Sequence, residues 1–125
     1  MIDVEAFMRE MLQAESAVRY IAIVDNEYRV LASKQREGSP SYMREEETRD
    51  FASIVPEIIV EAVEKLTPFL GKVGGVTAHY EKALVIFYRF EQLIVLMSFE
   101  PKVNTPFYDE ITETFRKLGT RYLTS

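Results

Sequence analysis

The stretch that most constrains this chain is Leu84–Phe99, LVIFYRFEQLIVLMSF, in which two apolar runs are separated only by Glu91-Gln92. So short a connection can only be a tight reversal, so the runs Leu84–Phe90 and Leu93–Phe99 form an antiparallel pair. Both are apolar at nearly every position, not at every second one. A strand with one wet face alternates, whereas a strand apolar on both sides must be covered on both. The pair therefore predicts the middle of a sheet with helices on both faces.

The stretch before it, Val73 to Tyr80, is less hydrophobic: Val76, Ala78 and Tyr80 alternate with Thr77 and His79. That is the pattern of an outer strand with a wet side or a partner. Glu81-Lys82 connects it to the next strand, which makes the three a meander, and Gly74-Gly75 at its start permits a bulge or a close backbone approach. Further upstream, Val18–Val24 (VRYIAIV) and Tyr28–Ser33 flank Asp25-Asn26-Glu27, a hairpin signal. Asn and Asp tolerate the left-handed backbone of a turn, but the Gly that usually follows is missing, which points to a slightly longer loop. The polar run Lys34-Gln35-Arg36-Glu37 then suits an exposed sheet edge, and Gly38-Ser39-Pro40-Ser41 suits a turn.

Three helical segments frame these strands. Val4, Phe7, Met8, Met11 and Leu12 recur at steps of three and four and form the core face of a short first helix. From Ser41 to Leu70 the apolar residues Phe51, Ile54, Val55, Ile58, Ile59, Ala62, Val63, Leu66 and Leu70 keep helical spacing, behind a Glu45-Glu46-Glu47 start that complements the helix dipole. Pro56 lacks an amide donor, so the helix is kinked there or a new one begins near Ser53. The apolar stripe runs from Ile54 round to Val63, about half the circumference and wider than one sheet face uses. Two readings follow: a helix sunk between sheet and loops, or a helix packed on its sheet and on a partner helix. Gly71 suits a helix C-cap. After Pro101–Pro106, Asn104 or Thr105 starts a closing helix whose seam is Tyr108, Ile111, Phe115, Leu118 and Tyr122.

Residues 1–125 thus read as one domain, α+β, with a single five-stranded antiparallel sheet and helices on both faces in the order α-β-β-α-β-β-β-α. Composition narrows the function. With 15 Lys and Arg against 20 Asp and Glu, net charge −5, and no basic cluster, the chain lacks the positive stripe expected of a nucleic-acid binder. It has no Cys, hence no thiolate metal site, disulfide or thiol nucleophile. No apolar run approaches the roughly 18 to 20 residues of a membrane span, and the N-terminus has no signal-peptide pattern, so we expect a soluble, cytoplasmic protein. His79, the one His, has no nucleophile at a fixed spacing, and Gly71-Lys72-Val73-Gly74-Gly75 lacks the phosphate-loop spacing. A non-enzyme without metal or cofactor is expected.

The hairpin VRYIAIVDNEYRVLAS after a short helix, then FASIVPEIIVEAVEKL and the meander ending ALVIFYRFEQLIVLMSF before a terminal helix, resembles the roadblock domain of dynein light chains and bacterial MglB-type regulators, with a profilin-like sheet. The resemblance spans Val4 to Leu123. It implies a homodimer or heterodimer in which the long helices pack together and the outer meander strands pair. On this chain that places Val55, Ile59, Ala62, Val63 and Leu66 of the helix and Val76, Thr77, Ala78 and His79 of the strand at the seam. It further implies a non-catalytic adaptor, scaffold or regulator of a small Ras-like GTPase or another protein. The alternative is a PAS-like small-ligand sensor with a pocket lined by Tyr20, Phe87, Tyr88 and Phe99.

Overall fold

The computed structural model describes residues 2–38, 45–100 and 105–124. The turn-forming run after Gly38, any helix before Glu45, the loop with the Asn104 cap and the side chain of Tyr108 lie outside the described residues. Asp3 starts the first helix, α1 (Val4–Ala14): its carboxylate accepts a hydrogen bond from the Ala6 amide at 3.0 Å and satisfies one of the free donors of the first turn. The buried face of α1 is Ala6, Phe7, Met8, Met11 and Leu12, so the methionines are core and not an open binding stripe.

The hairpin strands are β1 (Val18–Val24) and β2 (Val30–Gln35). Their connection is the longer loop that the missing glycine implied. The Asp25 amide donates to the Arg29 carbonyl at 2.9 Å, and Tyr28 takes a left-handed φ of 63° where a glycine is usual. Tyr28 and Arg29 therefore belong to the turn, and β2 begins later than expected. The Asp25 carboxylate accepts from the amides of Glu27 and Arg29 at 2.8 and 3.0 Å. These bonds, that of Arg29 first, hold its carboxyl below the ordinary range.

The long helix, α2, is Glu45–Glu64 and runs through Pro56 without a break, so no new helix starts near Ser53. It stops short of the expected Leu70. A turn follows, then a four-residue helix, α3 (Thr67–Leu70), with Pro68 in its first turn and Gly71 as its C-cap at φ 88°. Proline is tolerated there because a first-turn amide has no helical partner, whereas a helix continuing from α2 would set its ring against the carbonyl of Glu64, four residues back, which is why α2 and α3 are separate. The meander is β3 (Gly75–His79), β4 (Leu84–Phe90) and β5 (Leu93–Phe99), and α4 (Thr105–Tyr122) closes the chain.

All five strands join one antiparallel sheet in the order β2-β1-β5-β4-β3. Alternation along β4 and β5 sends side chains to two cores. Ile86, Tyr88, Val95, Met97 and Phe99 pack under α1 and α4 with Phe7, Met8, Ile111, Phe115 and Leu118; Val85, Phe87, Ile94 and Leu96 pack under α2 with Ala52 and Val60. The two apolar strands are buried on both faces, as their composition demanded. At Gly119 the close approach of α4 to β4 excludes a side chain, since an added Cβ would lie 2.9 Å from the Phe90 ring.

Candidate protein interface

The two edges of the sheet differ. At the β2 edge the ladder to β1 is irregular between Ile23 and Val24, with Leu31 in the bulge, and Lys34 and Gln35 are exposed. Bulges and charged side chains are the devices that keep an edge from recruiting another strand. The β3 edge has neither: Gly75–His79 pairs with Tyr88–Leu84 in unbroken register, and the strand contains no Lys and no Pro. The Arg89 amide bonds to the Gly74 carbonyl at 3.1 Å, and the Tyr80 amide to the Ala83 carbonyl at 2.8 Å. Antiparallel pairing alternates, so Gly74, Val76, Ala78 and Tyr80 direct their backbone groups at β4, and Gly75, Thr77 and His79 direct theirs outward from the sheet.

The two flanks of α2 differ in the same sense. The flank towards the hairpin is held by polar contacts. Ser53 donates to the Tyr28 carbonyl at 2.6 Å, the Tyr28 hydroxyl donates to Glu61 at 3.0 Å, and Arg89 bridges Glu64 at 3.4 Å and Asn26 at 3.0 Å. Partial burial and then the Glu61 carboxylate push the Tyr28 phenol up to about 12. On the flank towards β3, the Phe51 ring lies 6.2 Å from both Tyr80 and Phe87. Ile58 and Ala62 fall within about 20° of Phe51 around the helix, and both are exposed, Ile58 at 65 %. Ile54 is open to solvent as well, and past the helix end so are Leu66, Phe69 at 82 % and Leu70 at 77 %. Scattered exposed apolar residues are ordinary, whereas large exposed apolar patches are the kind of surface that binds partners.

The residues expected at a seam divide across this geometry. Val55, Ile59 and Val63 are half-buried, and Val55 packs on the α2-side core. Ala62 is exposed, and Leu66 is exposed but lies beyond α2 as the N-cap of α3. Val76 joins the α2-side core and Ala78 shares its face, whereas Thr77 and His79 are exposed on the α4 side. Ile54, Ile58, Phe69 and Leu70, each more than half exposed, were not among the expected residues. Of the expected residues of this segment, Val55, Ile59 and Val63 lie on the half-buried part of the stripe and Ala62 and Leu66 on its exposed part.

On the α4 face, a groove of about 450 Å³ runs beside β3, with Gly75, Thr77, Tyr88, Thr112, Phe115 and Arg116 among its lining. The Tyr88 hydroxyl lies 3.1 Å from that of Thr112, and its ring stacks on Phe115 at 4.3 Å. The aromatic residues proposed for a sensor pocket do not meet: Tyr20 and Phe87 pack on the α2 side, Tyr88 and Phe99 in the core under α1 and α4. That arrangement gives the PAS-like alternative no support. Among the described residues, no group of three or more His, Asp or Glu stands together as a metal site, and no helix is long and apolar enough to cross a membrane.

The sequence matches no protein-family model, and it matches no curated protein. Solved structures do match. A Roadblock/LC7 domain from Streptomyces avermitilis superposes with a TM-score of 0.72 at 9 % identity over 98 % of this chain and 99 % of the other. The gliding protein MglB from Thermus thermophilus gives 0.65 at 17 % identity, covering 93 % and 87 %, and MglC from Myxococcus xanthus gives 0.60 at 13 %, covering 94 % and 97 %. Element order, sheet order and these superpositions together make the fold of this chain roadblock-like.

Proposed function

We propose that this chain is a non-catalytic adaptor or regulator that works as a dimer in the cytoplasm and docks a small Ras-like GTPase. The observation that carries the dimer is the adjacency of two unfinished surfaces, the unguarded β3 edge and the apolar flank of α2 that leans towards it. Pairing β3 with its twin about a two-fold axis extends each sheet and brings the two α2 flanks to the same side, so one event covers both. An isologous interface of this kind is the commonest route to a homo-oligomer.

The GTPase assignment rests on the roadblock-like fold, whose members scaffold or regulate such partners, and is independent of the dimer. A net charge of −5 makes a basic surface on the partner the natural complement. The test is a binding titration with the Ras-like GTPases of the same organism, each loaded with GDP or with a non-hydrolysable GTP analogue. Saturable binding in the micromolar range to one of them, stronger in one nucleotide state, is the expected result. A dimeric chain that binds none of them in either state overturns the GTPase reading.

A further inference from the structure

We propose that α3 docks on an anionic lipid bilayer and inserts Leu66, Phe69 and Leu70 into its headgroup layer. The three side chains stand at i, i+3 and i+4 of the turn, which puts them on one face. Each is more than half exposed, and no residue of α3 is buried. The turn therefore owes its shape to its backbone: Pro68 fixes φ near the start, and Gly71 closes the end at φ 88°. That backbone is also ready to leave water. The Leu66 amide donates to the Val63 carbonyl at 3.2 Å, those of Phe69 and Leu70 to the Leu66 carbonyl at 3.0 and 2.9 Å, and that of Gly71 to the Thr67 carbonyl at 2.9 Å, while Pro68 has no amide. Open donors are what make backbone costly to bury in lipid. With these four amides engaged, the turn presents side chains to whatever covers it.

Charge favours lipid over a second copy of the chain as the occupant. The chain carries a net charge of −5, yet the segment from Lys65 to Val73 holds two lysines, Lys65 and Lys72, and no Asp or Glu. Both lysines are exposed and flank the apolar face. The carboxylates that precede them, Glu61 and Glu64, are engaged on the hairpin flank by Tyr28 and Arg89. Two such turns meeting across a two-fold axis would bring like charges together, whereas a layer of anionic headgroups complements them. Lysine stems can lie along the inserted apolar surface while their ammonium groups reach the phosphates. Because the rest of the chain is acidic, an anionic bilayer attracts it only with α3 leading. The contact requires neither the dimer nor the GTPase partner proposed above.

The chain contains no Trp, so Phe69→Trp, at an exposed position, places a single fluorescent reporter in the turn. On titration with vesicles of phosphatidylglycerol and phosphatidylcholine, its emission is expected to shift to the blue and saturate, and to stay unmoved with phosphatidylcholine alone. In that background Lys65→Gln and Lys72→Gln should each weaken the partition about fivefold, the scale of one lysine at an anionic surface. Leu70→Ala should weaken it roughly five- to tenfold through lost apolar burial. Emission that anionic vesicles leave unmoved overturns the proposal, and an equal shift on phosphatidylcholine alone overturns the choice of an anionic surface. Emission already blue-shifted without lipid, and moving to the red on dilution of the protein, makes the turn a contact between copies and overturns the lipid reading as well.

Discussion

Arg36 ties together three backbone carbonyls at the junction of α1 and β1. Its guanidinium donates to the carbonyls of Leu12 at 2.6 Å, Glu15 at 2.9 Å and Val18 at 2.6 Å, and so closes the end of α1 against the start of β1. The last turn of α1 has no basic residue of its own, and Arg36 supplies the charge that the helix C-terminus favours. Arg36→Ala should lower the unfolding free energy by about 2 kcal/mol, the scale of hydrogen bonds made by a charged donor, read as a drop in the urea midpoint at an unchanged slope. None of this was legible beforehand. Arg36 sits in the run Lys34-Gln35-Arg36-Glu37, which reads as edge protection, and no local spacing tells which of the four turns inward. Tyr28 is the opposite case: the missing glycine after Asp25-Asn26-Glu27 announced a longer loop, and the loop carries Tyr28 in the left-handed conformation.

Helix α2 shows what periodicity reveals and where it stops. The apolar stripe was visible in the sequence, and its excess width is real: Ala52 and Val60 are buried on the sheet, while Ile54 and Ile58 on the rim are open. Periodicity gives the width of a stripe and is silent on which part of it meets the chain's own sheet. That choice depends on how the helix lies across β4 and β5, a tertiary matter. The two parts predict separable outcomes. Ile58→Glu should abolish self-association and leave a folded monomer by circular dichroism, because a charge at an exposed site costs the monomer no more than about 0.5 kcal/mol. Val60→Ala should instead destabilise the fold by roughly 2 kcal/mol through a cavity under α2 and still self-associate. The end of α2 was misread because Leu66 and Leu70 keep the helical spacing across the turn that precedes Pro68.

At the scale of the molecule, the meander was the most legible part, since two-residue reversals leave β4 and β5 no alternative neighbours. The placement of β1 beside β5, which joins the hairpin to the meander, has no local signal and comes from the shared need to cover two apolar faces. What the finished sheet leaves is one guarded edge, β2, and one open edge, β3, with an apolar helix flank next to the open one. The account stands on the claim that a second copy closes that side. Light scattering on the purified chain at micromolar concentration measures this directly. The account predicts about 29 kDa, twice the 14.5 kDa of one chain, and a mass of 14.5 kDa would contradict it.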